Sequence, residues 1–131
     1  MRIRVFSAIL ATLIVWTTGA NAQSYIGTRT EWEKLSSDDK ATYAMGLFDG
    51  LNINLLPASN DQIALRLGRH KCMKDLSLDS GNLAQIVNEG YAADAATWGN
   101  PPIILILNQL RKVCKRQISA ERVKLGLKPL T

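Results

Sequence analysis

Three kinds of side chain in this sequence have types and spacings that could do chemistry. They are the two cysteines, Cys72 and Cys114, the single histidine, His70, and the carboxylates Asp49, Glu89 and Asp94. His70 and Cys72 stand two residues apart, which raises the idea of a metal site or a Cys–His nucleophile. A structural zinc ion usually takes four cysteine or histidine ligands, and the chain holds only three such side chains. Among the carboxylates, Asp49 is the best placed for acid–base work, because its helix is otherwise apolar around it. The ordinary reading of all three carboxylates is a surface position or an ion pair. No G-x-S-x-G elbow and no glycine-rich phosphate loop is present, so no motif points to a cofactor, and no catalytic residue is expected.

The compartment decides how the cysteines are read. Arg2 and Arg4 open the chain, Val5 to Trp16 is almost wholly apolar, and Ala20-Asn21-Ala22 places small residues two apart. A charged head, an apolar middle and an A-x-A exit form a secretory signal peptide, with cleavage between Ala22 and Gln23. The apolar run falls short of the roughly 20 residues that span a bilayer. The mature form is therefore expected to have no stable membrane span; the alternative is an uncleaved N-terminal anchor. Export places the protein in the periplasm, or alternatively outside the cell. There the two cysteines are expected to form one disulfide. It would close a loop of about 40 residues and stabilise by roughly 3–4 kcal/mol. Two buried free thiols or a disulfide-linked dimer are the alternatives. Oxidation removes the thiolate that nucleophilic or metal chemistry requires.

Charge is divided along the chain. Between residues 23 and 61, Arg29, Lys34 and Lys40 face Glu31, Glu33, Asp38, Asp39, Asp49 and Asp61. Between residues 111 and 131, Arg111, Lys112, Lys115, Arg116, Arg122, Lys124 and Lys128 face Glu121 alone. A basic tail on an exported protein could touch anionic lipid or an acidic protein partner; the plainer reading is a solvated helix face. Nucleic acid is not an expected partner in that compartment.

The elements that must position these residues read as helices. After the signal peptide (1–22), residues 23–131 form one small all-α domain of about four to five helices, with a core over about 30–118 and a basic tail over 119–131. Thr30-Glu31-Trp32-Glu33 has the capping-box form and predicts a short helix ending near Leu35. Ser36 or Ser37 caps a second helix running to about Asn54 and ended at Pro57. Asp61 caps a third, carrying Ile63, Leu65, Leu67 and the Cys72 region. Leu76 to Gly81 reads as a loop with Ser80 as the next cap. Leu83, Ile86, Val87, Gly90 and Tyr91 recur on one face of a fourth helix. Trp98-Gly99-Asn100-Pro101-Pro102 is a break in which Asn100 can cap. The fifth helix carries Ile103, Ile106, Leu107, Leu110, Val113 and Cys114 inward. A last short helix starts at Ser119 and stops at Gly126. No strand alternation competes with this reading.

The segment Tyr43-Ala44-Met45-Gly46-Leu47-Phe48-Asp49-Gly50 stands out. Gly46 and Gly50 lie one turn apart in mid-helix, where each costs about 1 kcal/mol relative to alanine. Another backbone, or the ring of Trp32 or Tyr91, is expected to pack closely there. The functional alternative is a binding surface formed by Tyr43, Gly46, Phe48, Asp49 and Gly50.

The order of these pieces resembles a known group. Trp32 and Leu35 precede Tyr43-x-x-Gly46-x-x-Asp49-Gly50, and Cys72 precedes Leu83-x-x-Ile86-Val87-x-x-x-Tyr91. A proline break then leads into an apolar helix ending at Cys114. From Trp32 to Cys114 the chain resembles the Rap/Tai group of small exported helical proteins, which provide immunity against amidase effectors of type VI secretion. The resemblance implies a non-enzymatic protein that covers the active site of a partner such as a cell-wall amidase. Ala41 and Thr42 stand where members of the group often carry a further cysteine, so a second disulfide is missing. The alternative function is a periplasmic acid chaperone similar to the Hde type, loosened at low pH by protonation of its carboxylates. N-terminal sequencing of the protein recovered from an exporting host should begin at Gln23; a chain beginning at Met1 would overturn the signal-peptide reading.

Overall fold

The computed structural model describes residues 25–53 and 58–131. The expected signal segment, its expected cleavage site at Ala22 and Gln23, and the expected helix stop at Pro57 lie outside the described residues. Within them the chain is all-α. Six α-helices follow one another: α1 (Arg29–Glu33), α2 (Ser37–Asn52), α3 (Asn60–Asp75), α4 (Ser80–Ala93), α5 (Pro102–Val113) and α6 (Lys115–Lys124), with a single 3-10 turn over Ala95–Thr97 between α4 and α5. No strand occurs among the described residues.

Most helix starts are one capping residue earlier than the sequence suggests. The capping box of α1 is Thr28 with Glu31, not Thr30 with Glu33. Ser59, with Gln62 reaching back, caps α3 in place of Asp61. Asp79, with Asn82, caps α4 in place of Ser80. At α3 and α4 the reason is the same: Ser59 and Asp79 have a partner three residues on that returns a bond and so satisfies two orphan donors, whereas Asp61 and Ser80 are followed at that spacing by Ala64 and Leu83. At α1 both threonines have a glutamate three residues on, and Glu31 additionally accepts from the Gly27 N–H at 2.7 Å. Ser36 caps α2 as expected. Pro101, not Asn100, precedes α5, and no side chain caps that helix; the proline at its first position has no N–H to satisfy. At the other end, α6 starts at Lys115 rather than Ser119, because Cys114 serves as the corner between two nearly continuous helices.

The helices form two groups. In the first, α4 packs against both α2 and α5. Trp32, Leu83, Val87, Ile106 and Leu110 are fully buried there, with Phe48 and Tyr91 close behind. At Gly90, an added Cβ would meet the Leu105 side chain at 3.2 Å, so α4 and α5 approach closely at that point. The second group is an antiparallel pair, α3 against α6. Its contacts descend in α6 as they ascend in α3: Asn60 donates to the Leu125 carbonyl, Gly68 lies on Ile118, and Cys72 bonds Cys114. The buried face of α3 is Ala64, Gly68, Arg69, Cys72 and Met73. Leu67, one of the large apolar residues of this helix, is 43 % exposed. The four-residue rhythm of small side chains, not the leucines, sets the face, since only small residues let two backbones touch. In α5, Val113 is likewise exposed while Leu105 is buried.

The disulfide is present between Cys72 and Cys114, with Cα atoms 5.4 Å apart, and both residues are completely buried. Closing a segment with a separation of 42 residues is worth about 4 kcal/mol on the chain-entropy estimate. Ile26 and Leu130 also pack on the core, so both flanks of the helical region contribute to it.

The Gly68 contact makes a sharp test. A Cβ there would sit 2.4 Å from the Ile118 Cα, and backbone cannot step aside cheaply. Gly68→Ala should destabilise by about 3 kcal/mol, whereas Gly90→Ala, which meets only a leucine side chain, should cost about 1 kcal/mol. Thermal or urea unfolding reads both, and a Gly68→Ala protein as stable as the parent would contradict the seam.

Candidate functional site

The structure scatters the sequence-derived candidates. Asp49 lies exposed on α2. Glu89 accepts from the Gln85 amide at 2.7 Å on the outer side of α4. Asp94 caps the 3-10 turn, its carboxylate accepting from the Ala96 N–H at 2.8 Å. Glu89 and Asp94 border one hollow between α4 and α5, together with Lys112, while Asp49 borders a different one beside Ser80. His70 is exposed and meets Phe48 edge-on, with ring centroids 5.6 Å apart. Among the described residues, no three His, Cys, Asp or Glu side chains converge as metal ligands.

The proposed surface on α2 is split by the helix itself. Ala44 and Phe48 are buried, and Tyr43 is half-buried. Tyr43 meets Trp32 at a centroid distance of 6.3 Å and accepts from the Ile26 N–H at 3.1 Å. Phe48 is therefore core and not surface. Gly46 and Gly50 are exposed, and among the described residues nothing lies within 4 Å of a Cβ built on either. The expected packing of Trp32, Tyr91 or another backbone against them is absent. The reason is angular: positions two residues on from Ala44 and Phe48 lie about 200° round the helix, away from the core. What remains is a bare strip of α2 backbone formed by Gly46, Asp49 and Gly50, next to Thr42 and Met45.

A second exposed feature was not legible in the sequence. Trp98, read as part of a chain break, is 48 % exposed. Its ring is fixed: Nε1 donates to the Tyr91 carbonyl at 2.9 Å, and the Arg29 guanidinium lies 4.3 Å over the ring. The Arg29 N–H donates to the Trp98 carbonyl at 2.9 Å. Tyr91 in turn donates from its hydroxyl to the Asn100 carbonyl at 2.6 Å. These bonds tie the α1 region to the α4–α5 connection. A tryptophan within a Gly-Asn-Pro-Pro break was the available sequence signal.

The basic tail is also partly engaged. Arg122 pairs with Asp61 across the α3–α6 seam and donates from Nε to the Lys128 carbonyl at 2.6 Å. The Leu130 N–H donates to Ser119 Oγ at 3.1 Å. The segment after α6 is thereby folded back as a strap. Beneath it, between α3, α5 and α6, lies a cavity of about 540 Å³. No described helix is long and apolar enough to cross a membrane. Comparison with protein-family models, with curated proteins and with solved structures gives no match.

Burial pushes the Tyr91 phenol up from 10.0 to about 12, with smaller contributions from Tyr43, Glu31 and Tyr25 nearby. The raised value means that the folded state holds this proton more tightly than the unfolded chain does. Its contribution is complete below pH 10 and is lost as pH rises through about 12, a fall of up to about 2–3 kcal/mol. Tyr91→Phe should cost about 1–2 kcal/mol at neutral pH by leaving the Asn100 carbonyl unpaired. It should also flatten the alkaline fall, as denaturant titrations at a series of pH values would show.

Proposed function

We propose that this chain is an exported, non-enzymatic protein-binding domain of the immunity type, which acts by covering the active site of a partner such as a cell-wall amidase. The observation that carries this reading is the bare strip at Gly46 and Gly50. A glycine costs about 1 kcal/mol in a helix interior such as Gly46 occupies, Gly50 lies in the last turn of α2, and no described residue packs on either position. An internal close approach would explain such glycines, as it does at Gly68 and Gly90. Here the space opens outward, where a partner's backbone or a flat ring can lie directly on the helix. Asp49 between them supplies a carboxylate for a donor on that partner. The rigid frame behind the strip supports the same reading, since a surface already held in its bound shape loses little entropy on association.

The reading separates stability from binding. Gly46→Ala with Gly50→Ala should raise the stability of the free protein by about 1–2 kcal/mol and weaken partner binding by about tenfold or more, because the added methyl groups hold the partner off. Calorimetry against purified cell-wall amidases, with peptidoglycan hydrolysis assayed alongside, measures both sides. Parent protein that binds and inhibits, with a double variant more stable but weaker, is the expected pattern. Failure of the parent to bind any amidase, or full binding by the double variant, would sink it.

A further inference from the structure

The cavity beneath the C-terminal strap holds an arginine with an unusual environment. Arg69 projects from α3 and is only 9 % exposed, although arginine is rarely so buried unless it is paired. Its Nε donates to the Leu65 carbonyl at 3.2 Å, within its own helix. Among the described residues, no carboxylate forms an ion pair with it. Burial lowers its pKa from the usual value without an opposing charge to restore it. The two other arginines on the cavity wall differ in this respect. Arg122 is taken up by Asp61 and the Lys128 carbonyl, while Arg111 is exposed at the rim.

The rest of the wall is mixed, with Asp61, Asn108 and Thr131 on it beside an apolar portion. Leu65, Leu107, Ile118 and Leu130 line the same space. Its volume of about 540 Å³ falls within the range of small-molecule sites. With Nε tied to its own helix, the Arg69 guanidinium keeps the edge formed by its two terminal nitrogens for a carboxylate or phosphate, and the leucine wall accepts a hydrocarbon body. We propose that this cavity is a binding site for a small amphiphile with an oxyanion head, its head on Arg69, its chain along Leu65, Leu107 and Ile118, and the strap at Leu130 closing over it. A fatty acid and an alkyl phosphate share this chemistry. The site lies on α3, α5 and α6, apart from the α2 strip, and is independent of the partner reading.

The test is calorimetric titration of the full mature chain with four probes: decanoate, decyl phosphate, decanol and acetate. Saturable one-to-one binding of decanoate or decyl phosphate is expected, and whichever binds more tightly identifies the head group. Decanol and acetate should each bind at least about tenfold more weakly, since each lacks one half of the recognition. Arg69→Met, which keeps the apolar stem, should cost at least about tenfold in affinity for the charged probes and leave decanol unchanged. Should that variant fail to fold by circular dichroism, Asn108→Trp, an exposed rim substitution, fills the mouth of the cavity and should abolish binding. Decanol binding as tightly as decanoate, no binding of either charged probe, or undiminished binding by Arg69→Met or Asn108→Trp would overturn the proposal.

Discussion

The fold depends on the seam between α3 and α6. Neither helix has a strong apolar face of its own, and α6 buries only Gln117 and Ile118 along its length. They are joined instead by closeness. Gly68 admits the Ile118 backbone, and one turn further along α3 the disulfide reaches Cys114. The glycine sets the distance and the disulfide holds it. The Asp61–Arg122 pair and the Asn60–Leu125 bond then align the far end. Because Cys114 is also the corner between α5 and α6, the same covalent link fixes the α3–α6 pair to the α2–α4–α5 group.

The other end of the molecule is held by directional bonds. Aromatic rings there use their polar atoms: buried Trp32 donates to Asn88 at 2.8 Å, buried Tyr91 to the Asn100 carbonyl, and half-exposed Trp98 to the Tyr91 carbonyl. Each ring contributes apolar area and also satisfies a group that would otherwise be unpaired. This network lets a five-residue helix such as α1, too short to persist alone, stay docked through Trp32. Unlike the covalent seam, it responds to alkaline pH.

The sequence carried the helical class and the pairing of the cysteines, because both follow from local rules: a 3.6-residue rhythm, proline and glycine punctuation, and two thiols with one pairing available. The fourth and fifth helices were legible for the same reason, their buried Leu83, Val87, Tyr91, Ile106 and Leu110 standing in plain periodic order. The third was legible as a helix but not in its facing, because its inward face is built from Ala64, Gly68 and Cys72 and includes Arg69. A hydropathy pattern registers large apolar residues and passes over small ones. The caps shifted because two candidates competed within three residues, and at α3 and α4 reciprocity between side chains decided the outcome. Gly46 and Gly50 were visible as costly, but which way they face is set by Ala44 and Phe48, a tertiary fact. Neither Trp98 under Arg29 nor the buried solitude of Arg69 is written in any one segment, since each arises from elements far apart in the chain.

The placement of the seam also sets an order of events. Synthesis delivers α3 long before α6, so the groove of Ala64, Gly68 and Cys72 waits without its partner while α4 and α5 form. Those two contact each other across a short connection and can pair early, whereas their contacts with α2 span separations as long as the seam's. Closure of the α3–α6 pair requires almost the entire chain, and only then do the two sulfurs meet. Assembly of this domain is therefore back-loaded: only the α4–α5 pair is local, and the oxidative latch waits for a seam whose last component is the final helix to emerge.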